Sequence, residues 1–354
     1  MTEKDILNAL SYVEDPDLKK DLVSLGMIKN IIIHSDKKIA FTVVLTTPAC
    51  PLKESIKNAC IQAIHHFLGK DIAVEVTMSA QVTENKNQKD SLKGIKNVIL
   101  VGSGKGGVGK STVAVNLATA LAQLGAKVGI LDADIYGPSV PILLDLQGKQ
   151  PYVEPVNGQN KMIPLEQYGM KVMSIGFLVP PEQALAWRGP MASKALHQLV
   201  FDTLWGELDY LVVDLPPGTG DIHITMAQML PVTGAIIVTT PQQVAVADSL
   251  KAITMFQNPH VNVKVLGIIE NMAYFIPDDA PEKKYFIFGK GGAEKLAKFA
   301  KVNLLGQIPI QEQISINSDE GKPIALNVDN FIGKTFHEIA QTIAQQIAIL
   351  NFKT

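Results

Sequence analysis

Arginine and cysteine are almost missing from this chain of 354 residues, which holds one arginine, Arg188, and two cysteines. Two cysteines cannot cross-link a chain of this length, which excludes a disulfide-stabilised scaffold and favours a reducing compartment. No apolar run reaches the roughly 18 residues of a membrane span. The first five residues are acidic and polar, unlike a secretory signal, so we expect a cytoplasmic protein.

Neither positive nor negative charge is in large excess. The formal net charge at pH 7 is −2, so no global field favours nucleic acid or a membrane surface, and we expect neither as a partner. Arg188 lies in the run 186–191. Its planar guanidinium suits a partner group that accepts two parallel hydrogen bonds, such as a carboxylate or a phosphate. An ordinary loop arginine is the alternative.

The most informative segment follows the pattern G-x-x-x-x-G-K-[ST], typical of a loop that binds the phosphates of a nucleoside triphosphate. Glycines let backbone amides approach the phosphate oxygens. The buried run 97–101 before the segment and the helical spacing after it put the loop at a helix N-terminus, which favours anions. We expect Lys110 to reach the β- and γ-phosphates and the Ser111 hydroxyl to ligate Mg²⁺. The predicted loop consists of Gly104, Lys105, Gly106, Gly107, Val108, Gly109, Lys110, Ser111 and Thr112.

Two alternatives compete for the same segment. From Gly102 onwards it also fits G-x-G-x-x-G, the dinucleotide fingerprint, and Asp132 lies roughly where a ribose-binding acid would be. A glycine-rich turn without a ligand is the other alternative. A dinucleotide loop has no use for the Gly-Lys-Ser-Thr that follows, so we favour the triphosphate.

Three carboxylates follow two predicted buried strands. Asp132 and Asp134 come after the run 127–131, and Asp214 ends the run 209–214. Ligands of a parallel sheet bind at the carboxyl ends of the strands, so we expect all three near the phosphate loop. Asp214 is predicted to hold the waters of Mg²⁺, Asp132 to support the metal, and Asp134 to orient the attacking water. The glycines and prolines that follow Asp214 suit a loop that shifts after hydrolysis.

The pattern of the chain predicts two domains. Residues 1–82 resemble a small α+β domain with helices over 4–10 and 52–68 and strands over 28–34, 38–46 and 74–79. Residues 83–94 are polar and without periodicity, which indicates a linker. Over 95–354, apolar strands alternate with helices, which predicts an α/β fold with a mostly parallel sheet covered on both faces. The predicted strands are 97–102, 127–131, 171–176, 209–214, 234–240, 264–270 and 303–307, and the helices are 111–124, 192–204, 242–257, 291–300 and 333–350.

With its second lysine, Lys105, the loop resembles that of the deviant-Walker ATPases, which include the MinD and ParA partitioning proteins and the nitrogenase iron protein. In that group the equivalent lysine reaches across a dimer interface to the partner's nucleotide. The resemblance therefore implies ATP, Mg²⁺, a homodimer and slow hydrolysis, with Lys105, Lys110 and Asp134 as catalytic residues. It also puts Asn271 at the adenine.

Within that group, several segments over 95–354 are similar to the Mrp-type iron–sulfur carrier ATPases. Residues 1–82 resemble a small iron–sulfur assembly domain through the runs 15–17 and 46–51. The resemblance implies a role in assembling iron–sulfur clusters or transferring them to apoproteins. The segments that carry it in the ATPase region are 132–139, 187–191, 214–221, 270–272, 287–289 and 305–309.

One departure from that family concerns the cluster itself. The carriers place a Cys-x-x-Cys pair between Glu-Asn-Met and Ile-Phe-Gly, whereas residues 273–286 of this chain contain no cysteine. The segment offers Asp278, Asp279 and Glu282, whose oxygens suit iron–sulfur clusters poorly. An ATPase switch or adaptor that regulates assembly partners without carrying a cluster is therefore the alternative function. A partitioning ATPase of the ParA or MinD type is a third.

The two cysteines differ in their expected roles. Cys60 falls on one helix face with Ile56, Ala63, Ile64 and Phe67, which predicts a core thiol. Cys50 precedes the same helix, where the N-terminus should lower the pKa of the thiol and favour a thiolate for iron–sulfur or partner chemistry. One thiolate per chain cannot hold a cluster alone, so a second subunit or a partner would have to supply further ligands.

Overall fold

The computed structural model describes residues 1–35, 37–85, 92–156, 158–179, 189–277 and 279–353. The chain divides into two compact units, the first formed by Met1–Glu84 with Ala344–Thr354 and the second by Asn85–Ile343. The predicted linker over 83–94 lies partly outside the described residues. The division into a domain over 1–82 and a domain over 95–354 stays a prediction.

The first unit contains a small mixed sheet. Strands β3 and β4 are antiparallel, as the predicted hairpin requires, whereas β5 pairs with β4 in parallel. Every second residue of β4 is buried, the alternation of a strand with one face on a core. The elements of this unit are α1 (Glu3–Leu10), β1 (Glu14–Asp15), β2 (Lys20–Asp21), β3 (Ile28–Ser35), β4 (Lys38–Leu45), α2 (Lys53–Phe67) and β5 (Ala73–Ala80).

The core of the first unit includes Cys60, as predicted. Its side chain is fully buried, together with those of Ile56 and Ile64 on the same helix. Phe67, predicted for that face, is exposed instead and stacks on Tyr12 with ring centroids 4.5 Å apart. Phe67 is the last residue of α2, so it lies past the end of the buried face.

The second unit is built on a sheet of eight strands in the order β10-β11-β7-β12-β6-β13-β14-β15. All neighbours in this order are parallel except β10 and β11. The predicted, mostly parallel sheet is therefore confirmed. Its strands, with the separate pair β8 and β9, are β6 (Ile95–Ser103), β7 (Val128–Asp132), β8 (Val153–Val156), β9 (Gln159–Met162), β10 (Leu165–Gln167), β11 (Met170–Ser174), β12 (Leu208–Pro217), β13 (Val232–Thr239), β14 (Val265–Glu270) and β15 (Asn303–Gln307).

Helices follow most of the strands, and β6 and β7 are almost wholly buried, as expected of parallel strands covered on both faces. The short β8, β9 and β10 and the helices α4, α6 and α9 were not predicted. No helix among the described residues has the length and apolar character needed to cross a membrane. The helices are α3 (Lys110–Gln123), α4 (Val140–Leu143), α5 (Gly189–Phe201), α6 (Asp221–Met229), α7 (Gln243–Gln257), α8 (Gly292–Ala300), α9 (Glu312–Asp319) and α10 (Phe331–Lys353).

The order of the central strands brings the predicted acids to the phosphate loop. β12 lies between β7 and β6, and Asp214 on β12 is level with Asp132 on β7 and with Val101 on β6. β12 continues past Asp214 to Pro217, which pairs with Ser103 after a register shift. Because β7 ends opposite Asp214, the prolines interrupt no ladder on that side.

Candidate functional site

The predicted phosphate loop connects the end of β6 to α3, which begins at Lys110. Gly109 is the N-cap of α3 with a φ of 77°, a left-handed conformation that favours glycine. The loop lines a cavity of about 220 Å³ at the helix N-terminus, the end of a helix that attracts anions. Side chains and backbone of Lys105, Gly107, Gly109, Lys110, Ser111 and Thr112 face this cavity.

The glycines of the loop are needed for different physical reasons. A Cβ atom on Gly104 would come closer than 3.0 Å to backbone atoms of α7, although the backbone of Gly104 is not left-handed. Gly107 has open space around it but a φ of +79°. Gly106 has neither constraint, since its nearest neighbour would be Pro217 at 3.8 Å. Gly104 is therefore required by the packing of the fold.

Lys110 is held by the acids that the sheet brings to it. Its Nζ lies 2.6 Å from Oδ1 of Asp214, 3.1 Å from Oγ of Ser111 and 4.0 Å from Oδ2 of Asp134. Lys110 and Asp214 are both buried. Burial raises the pKa of Asp214, while the Lys110 charge acts in the opposite direction. The ammonium thus compensates a carboxylate that would otherwise be buried without a counter-charge.

Asp132 and Asp134 play different parts in this arrangement. The carboxylate of Asp132 accepts hydrogen bonds from the backbone N–H groups of Asp134 and Val140, each at 3.1 Å, and from Oγ of Ser174 at 3.0 Å. Burial, followed by the charge of Asp214, raises the pKa of Asp132 to about 7. Asp132 therefore organises the segment that carries Asp134, and it is Asp134 that faces the phosphate cavity. A magnesium-supporting role for Asp132 stays a prediction.

Asn271, the predicted adenine contact, follows β14 and packs against the loop from behind. Its Nδ2 donates a hydrogen bond of 2.9 Å to the backbone oxygen of Val108. A Cβ atom on Gly109 would collide with the same amide nitrogen. In this arrangement the Asn271 amide stabilises the phosphate loop through this hydrogen bond. Its contact with adenine stays a prediction. Arg188 lies outside the described residues.

The residues at the loop fit a magnesium ion held together with a triphosphate. Oδ2 of Asp214 is buried and has no hydrogen-bond partner among the described residues, and the Ser111 hydroxyl lies at the same corner. No group of three or more His, Cys, Asp or Glu in the described part of the chain forms a metal cage. Phosphate oxygens and water would therefore complete the coordination, as Mg²⁺ prefers in nucleotide sites.

A second and larger cavity, of about 750 Å³, adjoins the phosphate cavity. The two share Asp134 and Pro217 as wall residues. His223, on α6, lines the larger cavity and was not predicted from the sequence. The signal available was its position nine residues after Asp214, directly behind the glycine- and proline-rich loop.

The segment that holds the cysteine pair in the carriers forms a small hairpin here. The backbone groups of Phe275 and Tyr285 exchange hydrogen bonds of 2.8 and 2.9 Å. Nζ of Lys284 lies 4.2 Å from the ring centroid of Tyr274. Asp278 lies outside the described residues. Aromatic and lysine side chains thus occupy a segment that offers no thiolate for a cluster.

The expected pKa of Cys50 was wrong. Burial raises the pKa of the Cys50 thiol, and the charges of Asp17 and Asp15 add to this, whereas only the Leu52 backbone acts in the opposite direction. α2 begins at Lys53 rather than directly after Cys50, and half-burial outweighs the helix N-terminus. Burial also raises the pKa of Cys60 to about 12. Neither thiol is activated as a free thiolate.

The fold and the phosphate loop define a P-loop NTPase. Residues 94–347 match the family of NUBPL iron-transfer P-loop NTPases, and residues 3–76 match the family of iron-sulfur cluster assembly proteins. The chain is similar to the iron-sulfur cluster carrier protein of Synechocystis sp., with 45% identity over 99% of each chain. This protein belongs to the family of NUBPL iron-transfer P-loop NTPases.

Solved structures agree with this assignment. The nucleotide-binding protein of Archaeoglobus fulgidus in complex with ADP is 38% identical, with a TM-score of 0.59 over 71% of this chain and 97% of that chain. The cell division ATPase MinD of Pyrococcus furiosus is 22% identical, with a TM-score of 0.50 over 70% and 98%, and shows the fold alone. The dinucleotide alternative is therefore wrong, and Gly102 lies inside β6 rather than in a loop.

Proposed function

We propose that this protein hydrolyses ATP with Mg²⁺ and uses the cycle to assemble iron–sulfur clusters or to pass them to apoproteins. The observation that carries the proposal is the placement of Lys110 between Asp214, Asp134 and the Ser111 hydroxyl at the start of α3. The iron-transfer family supports the cargo, and the ADP complex of the Archaeoglobus protein supports the nucleotide. The scarcity of cysteine supports a reducing compartment such as the cytoplasm.

The geometry suggests how the residues divide the work. A triphosphate in the loop would be held by backbone amides and the α3 N-terminus. Lys110 would leave Asp214 to neutralise the β- and γ-phosphate oxygens, which frees Asp214 to hold water of the bound Mg²⁺. Asp134, at the wall of the cavity, would accept a hydrogen bond from the attacking water. Bound Mg²⁺ supplies positive charge for the oxygens of the transferred phosphoryl group.

The active form is proposed to be a homodimer. The side chain of Lys105 is exposed at the wall of the phosphate cavity, whereas Lys110 already serves the local phosphates. A second lysine at this position has a use if it reaches the nucleotide of a partner subunit. ATP would then close the two subunits, and hydrolysis would reopen them.

An iron–sulfur cluster needs thiolate ligands, and the chain offers few of them. Residues 273–286 contain no cysteine, Cys60 is a core thiol, and Cys50 supplies one thiol per chain. A cluster would have to be held by Cys50 from two subunits or by thiols of a partner. These observations favour, as a second candidate, an ATPase switch that regulates assembly partners and carries no cluster itself.

One experiment separates the two candidates. The full chain is incubated anaerobically with iron and sulfide, with and without a cysteine-containing assembly partner, and bound iron, bound sulfide and Mg²⁺-dependent ATP turnover are measured. The carrier predicts bound iron that Cys50→Ser removes, while turnover persists. ATP turnover without any bound iron would refute the cluster carrier and favour the ATPase switch. Absence of ATP turnover would refute the ATPase function itself.

A further inference from the structure

His223 is a buried polar residue that the mechanism above does not use. It lies on α6, just behind residues 215–220, which form the end of β12 and the turn into α6 and are called the loop 215–220 below. Its side chain is 2% exposed. Neither ring nitrogen has a hydrogen-bond partner among the residues that the structure describes. A buried polar group without a partner lowers stability, so packing alone is a poor explanation for a histidine at this position.

The surroundings of the ring connect it to the nucleotide site. Burial lowers the pKa of His223, the backbone carbonyl groups of Pro216 and Gly220 act in the opposite direction, and the charge of Lys110 lowers the pKa further. His223 lines the larger cavity together with Pro217 and Asp134, the two residues that this cavity shares with the phosphate cavity. A neutral imidazole offers one N–H donor and one acceptor, and the nearby loop carbonyls are natural acceptors for the donor.

The loop next to His223 connects the strand end that carries Asp214 to α6. Gly218 has a φ of +96°, and its N–H donates to the oxygen of Ser103 at the start of the phosphate loop. When Lys110 leaves Asp214 for the phosphates, the strand end that precedes the loop loses its ion pair. A small shift of the loop would then bring a carbonyl into hydrogen-bonding distance of the His223 ring.

We propose that His223 is a positioning residue for ATP hydrolysis: its ring donates a hydrogen bond to a backbone carbonyl of the loop 215–220 and anchors that loop when nucleotide is bound. Pro217 lines both cavities, so the position of the loop sets one wall of the site where the γ-phosphate reacts. The inference rests on the proposed ATPase function and assigns to it a residue that binds neither nucleotide nor metal.

The test compares His223→Leu with His223→Asn and His223→Gln. Leucine fills the space without polar atoms, so the variant should melt at the same or a higher temperature than the wild type. Its kcat should fall at least about tenfold with KM and ADP affinity unchanged. Asparagine and glutamine place an N–H donor near one or the other ring nitrogen, and one of them should recover part of kcat.

A second readout does not depend on hydrolysis. With Mg²⁺ and a non-hydrolysable ATP analogue, amide exchange over residues 216–223 should slow at least about fivefold in the wild type and not in His223→Leu. Wild-type kcat together with wild-type exchange protection in the leucine variant would overturn the proposal. A leucine variant that loses ADP affinity or thermal stability in step with kcat would also overturn it. A wild type that shows exchange protection but no turnover would refute the proposed ATPase alone.

Discussion

Replacing Gly104 by alanine tests whether the first glycine of the phosphate loop serves the fold or the ligand. The added Cβ would lie closer than 3.0 Å to backbone atoms of α7. The backbone of a helix cannot rotate aside as a flexible side chain can, so the loop or the whole helix must shift. The chain offers two matched controls. Gly107→Ala adds a methyl group in open space at a φ of +79°, and Gly106→Ala adds one without either constraint.

The three substitutions should differ in size because their physical causes differ. Overpacking of a tight contact costs about 1–3 kcal/mol, and contact with helix backbone puts Gly104→Ala at about 3 kcal/mol. Gly107→Ala should cost about 1–2 kcal/mol because of the left-handed backbone. Gly106→Ala should range from no change to a gain of about 0.4–1 kcal/mol, because alanine restricts the unfolded chain.

Calorimetric melting without nucleotide measures these differences. A change of 1 kcal/mol moves the melting temperature of a unit of this size by about 2–4 °C, so Gly104→Ala should melt about 6–12 °C below the wild type. Gly106→Ala should melt at the wild-type temperature or up to about 4 °C above it, and any loss that it causes should appear in nucleotide affinity. Equal melting temperatures for Gly104→Ala and Gly106→Ala would refute the packing argument.

Three further predictions concern Lys110, Lys105 and the two cysteines. Lys110→Ala should abolish nucleotide binding in calorimetric titration and cost about 3–5 kcal/mol of stability, because it leaves Asp214 buried without its partner. Lys105→Ala should keep stability and affinity yet lose hydrolysis and ATP-driven dimerisation in sedimentation, and unchanged hydrolysis would contradict its role across the interface. Because burial raises the pKa of both thiols, alkylation of Cys50 by iodoacetamide should be slow at pH 7 and rise about tenfold per pH unit through pH 9, with Cys60 unreactive until the protein unfolds. Rapid labelling of Cys50 at pH 7 would contradict the pKa direction.

Local signals were sufficient to predict the framework of the site. The apolar run, the glycines and the Lys-Ser-Thr that follow are contiguous, so the turn from β6 into α3 follows from the sequence alone. The position of Asp214 beside Asp132 follows from the rule that parallel strands present their carboxyl ends at one edge. Both depend on spacing along the chain, which the sequence contains in full.

The burial of side chains and their hydrogen-bond partners across the sheet could not be predicted from the sequence. The role of Asp132 depends on Ser174, which is 42 residues away along the chain. The pKa of Cys50 depends mainly on how far the surrounding residues bury its thiol. The His223 ring, whose nitrogens have no hydrogen-bond partner among the described residues, could not be predicted for the same reason. Sequence patterns distinguish apolar from polar positions but do not show which polar groups stay unpaired. Such groups are recognised once the packing is known.

The charge balance at the site would couple a movement of Lys110 to the binding of a metal ion. Asp132, Asp134 and Asp214 gather at the loop, and burial raises the pKa of each, while Lys110 is the cation in contact with Asp214. If Lys110 moved to the phosphates alone, Asp214 would remain buried without a counter-charge, at a cost of several kcal/mol. The charge of a divalent cation bound with the nucleotide would offset that cost, with Asp214 holding water of the ion. We therefore expect the triphosphate to enter as its magnesium complex.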